Sequence, residues 1–211
     1  MVNYSGQARS AEALVRATQE AGGQALAAQA DVSDAAAVRR MFDAAEAARG
    51  GVDVLVNNAG IMTLSPIADT EDAAFDRQVA VNLKGSFDTL REAARRPRSG
   101  GRIINLSFSV VGLLQPTYGV YAATKAGVEA TSVLAKELRG RNIVNAVAPG
   151  PTATDLFLNG KPPELVERLA KRAPLERLGK PEDIAAAIAF LAGPDGAWIN
   201  GQVLRANGSI I

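Results

Sequence analysis

Residues 101–150 read GRIINLSFSVVGLLQPTYGVYAATKAGVEATSVLAKELRGRNIVNAVAPG. The stretch opens on an apolar run, Arg102 to Ser107, and closes on another, Asn142 to Val147. Between them lies an Ala-rich segment, Thr117 to Leu138, with apolar residues at helical spacing. Short strands that are apolar on successive residues are covered on both faces, which is the condition of a parallel sheet with helical crossovers. The segment is therefore read as one strand–helix–strand unit of such a sheet.

Working outward, the same alternation continues. Strands are expected at Gln24 to Ala30, Val52 to Asn57 and Gln202 to Ala206. Ser33 is positioned to cap a helix whose Val38, Met41, Phe42 and Ala45 share a face, and Ser10 to cap an earlier helix carrying Leu14 and Val15. Further helices fit Glu71 to Glu92, Pro163 to Lys171 and Pro181 to Leu191, the last with Pro at its first position. The sum is an α/β doubly wound parallel sheet, Rossmann-like, with residues 1–211 as a single domain. No internal repeat or low-complexity linker interrupts it.

Composition narrows the chemistry. The 211 residues are 47% hydrophobic, enough for one well-filled core, and 23 Lys and Arg balance 22 Asp and Glu. That balance advertises neither a nucleic acid nor an anionic membrane as partner. There is no Cys and no His, so thiolate metal sites, Cys nucleophiles and a Ser-His-Asp triad are excluded. A G-x-S-x-G elbow and a P-loop are missing too. No apolar run approaches the ~20 residues that span a bilayer, and the start has no basic region ahead of an apolar core. These features point to the cytoplasm.

Tyr121 and Lys125 stand four apart on an expected helix, so phenol and ammonium share one face. A cation beside a phenol favours tyrosinate and brings its pKa down from about 10, which suits proton exchange near neutrality. Taken alone, Tyr-x-x-x-Lys also fits an ordinary exposed helix face. What gives it weight is company, because Asp31-Val32, Asn57-Asn58-Ala59-Gly60, Val81-Asn82-Leu83-Lys84-Gly85, Ser107-Phe108-Ser109 and Pro149-Gly150-Pro151-Thr152-Ala153-Thr154 surround it in order.

With these motifs in this order, the whole chain resembles the short-chain dehydrogenases/reductases, nearest to bacterial 3-oxoacyl carrier-protein reductase or sugar dehydrogenase types. The resemblance implies hydride transfer between NAD(P) and a small-molecule carbonyl or alcohol. It makes Tyr121 the general acid/base, Lys125 its partner and a ribose ligand, and Asn82 the holder of a relay water. Ser109 is to bond the substrate oxygen. It lies twelve residues before Tyr121 where many relatives have thirteen, and Ser107 is the competing choice. Ser109-Val-Val-Gly112 matches the family better. Cofactor contacts are implied for Asp31, Val32, Asn58, Ala59, Gly60, Pro149, Gly150, Thr152 and Thr154, as well as for Tyr121 and Lys125. Asp155 to Arg172 corresponds to a substrate lid, with Leu156, Phe157 and Leu158 as an apolar wall. No metal is implied. NADP is expected over NAD, since Val2 to Gly6 holds no acidic residue to repel a ribose phosphate, while Ser5 and Arg9 can meet one. A homotetramer is implied, joined through the helices of Asn82 and Tyr121 and around the C-terminal strand.

The family pattern also has an opening strand and a T-G-x-x-x-G-x-G loop, whose glycines let backbone approach a pyrophosphate. Met1-Val-Asn-Tyr-Ser5 instead resembles the end of a second strand. About 30 residues of a βα unit are thus expected to be absent, with the missing strand central in an implied order 3-2-1-4-5-6-7. A wrongly assigned start or a fragment of a longer chain is favoured over a degenerate paralogue. The rival function is an inactive remnant that associates with full-length relatives. Asn142-Ile-Val-Asn145 reads one residue short for its strand, which predicts a register shift.

Overall fold

The computed structural model describes all 211 residues, Met1 to Ile211. In chain order the elements are β1 (Val2–Tyr4), α1 (Arg9–Glu20), β2 (Ala27–Gln29), α2 (Ala35–Arg49), β3 (Val54–Asn57), α3 (Asp72–Gln78), a π-helical stretch (Val79–Lys84) and α4 (Gly85–Arg95). Then follow β4 (Gly101–Leu106), α5 (Val110–Leu113), α6 (Gly119–Ala130), α7 (Leu134–Glu137), β5 (Asn142–Pro149), α8 (Asp155–Leu158), α9 (Pro163–Ala170), α10 (Pro181–Ala192) and β6 (Val203–Ala206). Every pair of hydrogen-bonded strands is parallel. They form a four-stranded sheet, β3-β4-β5-β6, and a separate two-stranded one, β1-β2.

Adjacent residues on β4 show why both faces are apolar. Ile103 packs into a core with Val38, Phe42, Leu90, Leu134 and Val144 from the α2, α4 and α7 side. Its neighbour Ile104 points the opposite way, onto Leu106, Val147 and Leu191 of α10. β4 and β5 pair in step from Gly101 opposite Asn142 to Leu106 opposite Val147. The anticipated register shift is therefore absent, and β5 runs on to Pro149.

Three local expectations need correction. Asp34, not Ser33, caps α2, its carboxylate accepting from the Ala36 N–H at 2.8 Å, because the Ser33 hydroxyl is taken up by Asp31. Ser10 lies inside the first turn of α1, after a cap at Ala8 that has no side-chain bond. The single helix expected over 71–92 is three pieces ending at Arg95, and that over 117–138 starts only at Gly119, since Thr117 has φ 72°.

β1 and β3 do not pair with each other. Both line a cleft of about 760 Å³ together with Leu26, Val32, Met41 and Thr89. Val54 and Val56 of β3 are 45% and 39% exposed along it. The cleft lies where the expected order puts another strand.

Candidate active site

Parallel strands aim their carboxyl ends at one edge of the sheet, and there the chain gathers its polar motifs. β4 runs into Ser107-Phe108-Ser109, β3 into Asn57 to Gly60, and β5 into Pro149 to Thr154. α6 comes back over this edge with Tyr121 and Lys125 both buried. The Lys125 ammonium donates to the Leu106 carbonyl at 2.8 Å and sits 5.7 Å from the Tyr121 ring centroid.

Gly60 marks the meeting point. A β-carbon built there would lie 3.4 Å from Asn82 Oδ1 and 3.5 Å from Lys125 Nζ. Bare backbone thus passes directly beside the ammonium. Asn82 is fully buried in the π-helical stretch, a widening of the helix often found at functional sites. Its amide accepts from the Ile61 N–H at 2.8 Å, and donates to the Ile61 carbonyl at 2.9 Å and to Thr124 Oγ1 at 3.2 Å. One side chain so ties the strand-end loop to two helices.

Burial governs the titrations. Desolvation brings Lys125 down from 10.5 to about 8. The expectation that Lys125 lowers the Tyr121 phenol is not met here: burial, and secondarily Tyr118, push that phenol up. The reason is geometric, since the ammonium spends its hydrogen bond on Leu106 rather than on the phenol. Phe108 and Tyr118 pack edge-on against Tyr121, with centroids at 5.9 and 6.4 Å.

The two serines separate. Ser107 Oγ donates to Glu129 Oε1 at 2.7 Å, with the Lys125 carbonyl of α6 further off at 3.4 Å. Ser109 Oγ donates to the Ala148 carbonyl at 3.0 Å and accepts from Asn207 Nδ2 at 3.0 Å. Below them, Pro149 accepts from the Ser109 N–H, and Gly150 lies against Asn207. Thr152 Oγ1 donates to the Gly150 carbonyl at 2.9 Å, and Thr154 is the extended residue immediately before the short α8.

Asp31 stands apart from this cluster. Its carboxylate accepts from the Ser33 hydroxyl and N–H at 2.7 and 2.9 Å and from Arg77 at 3.1 Å. The Ser33 bonds, then Arg77, hold it below the usual carboxylate range despite some desolvation, so it is an anion at neutral pH. Val32 is nearly buried against Gly85, and Asn58 and Ala59 line the cleft. Arg77, Thr124 and Asn207 escaped the sequence reading. Asn207-Gly208 is a turn dipeptide that could have flagged one of them.

Next to the cluster lies a cavity of about 640 Å³, walled by Met62, Leu64, Phe108, Tyr118, Leu156 and Phe157 among others. The expected lid supplies part of that wall through α8 and α9. No helix is long and apolar enough to cross a membrane.

A buried Tyr/Lys pair at the carboxyl edge of a parallel sheet, with an amide-bearing partner and an adjoining apolar cavity, defines a dehydrogenase-type site. Residues 1–209 match the family model described as Enoyl-(Acyl carrier protein) reductase. The chain is 43% identical over 227 residues to the NADPH-dependent aldehyde reductase-like protein, chloroplastic, of Arabidopsis thaliana, covering 100% of this chain and 84% of that protein. It is 49% identical over 193 residues to a short-chain type dehydrogenase/reductase of Picea abies, covering 89% and 71%. Among solved structures it resembles a short-chain dehydrogenase of Burkholderia cenocepacia in complex with NADP, with TM-score 0.92, 34% identity and coverage of 99% and 85%. This chain belongs to the short-chain dehydrogenase/reductase family, which are NAD(P)-dependent oxidoreductases.

Proposed function

We propose that this chain interconverts a carbonyl and its alcohol using NADP(H), with Tyr121 as the group that gives and takes the proton on oxygen. The observation that carries the reading is the burial of Tyr121 and Lys125 together, with the Lys125 ammonium against bare backbone at Gly60. The relatives' names supply the cofactor preference: one is called NADPH-dependent, and a neighbouring structure holds NADP.

The residues present fit the two ends of such a dinucleotide. Asp31 offers a charged acceptor for an exocyclic amine, with Val32 beside it. Asn58, Ala59 and Gly60 allow a backbone approach, while Lys125 and Tyr121 face the nicotinamide ribose. Pro149, Gly150, Thr152 and Thr154 form the turn for the carboxamide. The chain offers no glycine-rich loop for the pyrophosphate. When bound, the cofactor supplies or accepts a hydride. Burial keeps the Tyr121 phenol protonated, the form that can donate to an oxygen gaining negative charge. Ser109 holds that oxygen in place, and Asn82 is proposed to seat the water that resupplies the proton. Ser5 and Arg9, both exposed, would be the residues to receive a ribose phosphate.

The test is Tyr121→Phe, which should cut turnover of a ketone and aldehyde panel by at least about 100-fold while leaving NADPH binding nearly unchanged. Retention of most activity would sink the assignment. NADH equal to or better than NADPH would count against the phosphate reading.

A homotetramer and a cytoplasmic location belong to the same proposal. An open apolar groove along α6, lined by Ile67, Leu114, Ala122, Ala123 and Ala126, and the 98%-exposed Trp198 support the assembly. A monomer by light scattering at micromolar concentration would refute it. Cell fractionation decides the compartment, since one relative is named chloroplastic.

A further inference from the structure

Ser109 is the proposed anchor for the substrate oxygen, yet its hydroxyl is already engaged. Its proton points to the Ala148 carbonyl at 3.0 Å. A serine oxygen has one proton and two lone pairs, so reaching a substrate requires turning that proton away from Ala148. The other partner is Asn207, whose Nδ2 donates to Ser109 Oγ at 3.0 Å from a position 98 residues further along the chain.

Asn207 is itself held on every side. Its Oδ1 accepts from the Ser209 N–H at 3.0 Å, which settles the amide with its NH2 toward Ser109. The adjoining backbone is bonded, Gly150 N–H to the Ala206 carbonyl at 3.0 Å. A β-carbon on Gly150 would come within 2.8 Å of Asn207 Cα, so the two backbones are in direct contact. Gly208 and Ser209 have φ of 63° and 67°, a turn that lays the tail back over this spot.

We infer that Asn207 is a positioning residue that fixes and polarises the Ser109 hydroxyl for the substrate oxygen. Its amide occupies a lone pair of Ser109 whichever way the proton points. Rotation from Ala148 toward substrate then breaks one hydrogen bond instead of two. An amide donating to the oxygen also makes its O–H a stronger donor. The inference rests on the proposed role of Ser109.

The experiment compares Ser109→Ala, Asn207→Asp, Asn207→Ala and the double variant Ser109→Ala/Asn207→Asp. Asn207→Asp keeps an acceptor for Ser209 but loses the donor to Ser109, and its carboxylate competes for the Ser109 proton. With NADPH saturating, Asn207→Asp is expected to lower kcat/KM for a ketone by about tenfold, with NADPH affinity and melting temperature near wild type. In the Ser109→Ala background the same change should do nothing further. Losses that multiply in the double variant overturn the inference, as does Asn207→Asp at wild-type rate beside an impaired Ser109→Ala. An unimpaired Ser109→Ala overturns instead the proposed role of Ser109. A readout free of turnover is the exchange of the Asn207 side-chain amide protons with solvent in the 15N-labelled chain. They should be protected in the wild type and exchange at least tenfold faster in Ser109→Ala. Equal exchange in both overturns the hydrogen bond on which the inference stands.

Discussion

At the scale of single residues, the chemistry of this site is set by desolvation. Lys125 is 5% exposed and its pKa falls to about 8 because the charged form loses water and gains only one carbonyl. The unfolded chain keeps its lysine near 10.5, so between about 8 and 10.5 the unfolded state binds a proton that the folded state does not. The contribution of Lys125 to stability therefore rises with pH across that window. Lys125→Met should flatten this rise in melting temperature, and a slope identical to wild type would contradict the burial argument. Turnover should move the opposite way, declining above about pH 8 if the ammonium is the working form. The pair itself was legible in the sequence from its spacing of four. Its electrostatics were not, because burial and the competing Leu106 carbonyl arise only when β4 meets α6.

Among the elements, the junction of the π-helical stretch with α4 does most to shape the site. Gly85 opens α4 and faces the loop after β2, where a β-carbon would lie 2.7 Å from Val32 Cγ2 and 3.2 Å from the Val32 carbonyl oxygen. Gly85→Val is expected to destabilise by about 1–3 kcal/mol, since overpacking outweighs the few tenths gained in helix propensity. Urea unfolding measures it. NADPH affinity should drop alongside, because Val32 adjoins Asp31. An unchanged unfolding midpoint would show that the Val32 loop yields freely. The helical period of residues 71–92 was readable, but not its interruption. Asn82 is held by two hydrogen bonds to Ile61 and one to Thr124, which local propensity cannot anticipate.

For the molecule as a whole, the two sheets present their inner edges, β1 and β3, to one apolar cleft. Unpaired strand edges beside exposed Val54 and Val56 invite association. The 211-residue polypeptide is expected to bind a hydrophobic dye, to self-associate on concentration and to bind NADPH weakly. Fusing a strand, glycine-rich loop and helix ahead of Met1 should fill the cleft, raise the melting temperature and tighten NADPH binding by at least tenfold. Calorimetry on both polypeptides decides it, and equal affinities would show that the cleft is not a seat for a strand.

The α/β class and the parallel sense of the strands were legible in the sequence alone, because period and apolar runs are local properties of the chain, whereas Tyr121, Lys125, Asn82 and Ser109 were singled out by motif order and the family resemblance it carries. Tertiary structure alone decided which atoms those side chains touch. Ser33 was claimed by Asp31 rather than by a helix end, Lys125 by Leu106 rather than by the phenol, and Ser109 by an asparagine 98 residues away. The last two partners lie 19 and 98 residues away along the chain, and only the packing of β4, β5 and β6 side by side under α6 brings them within reach.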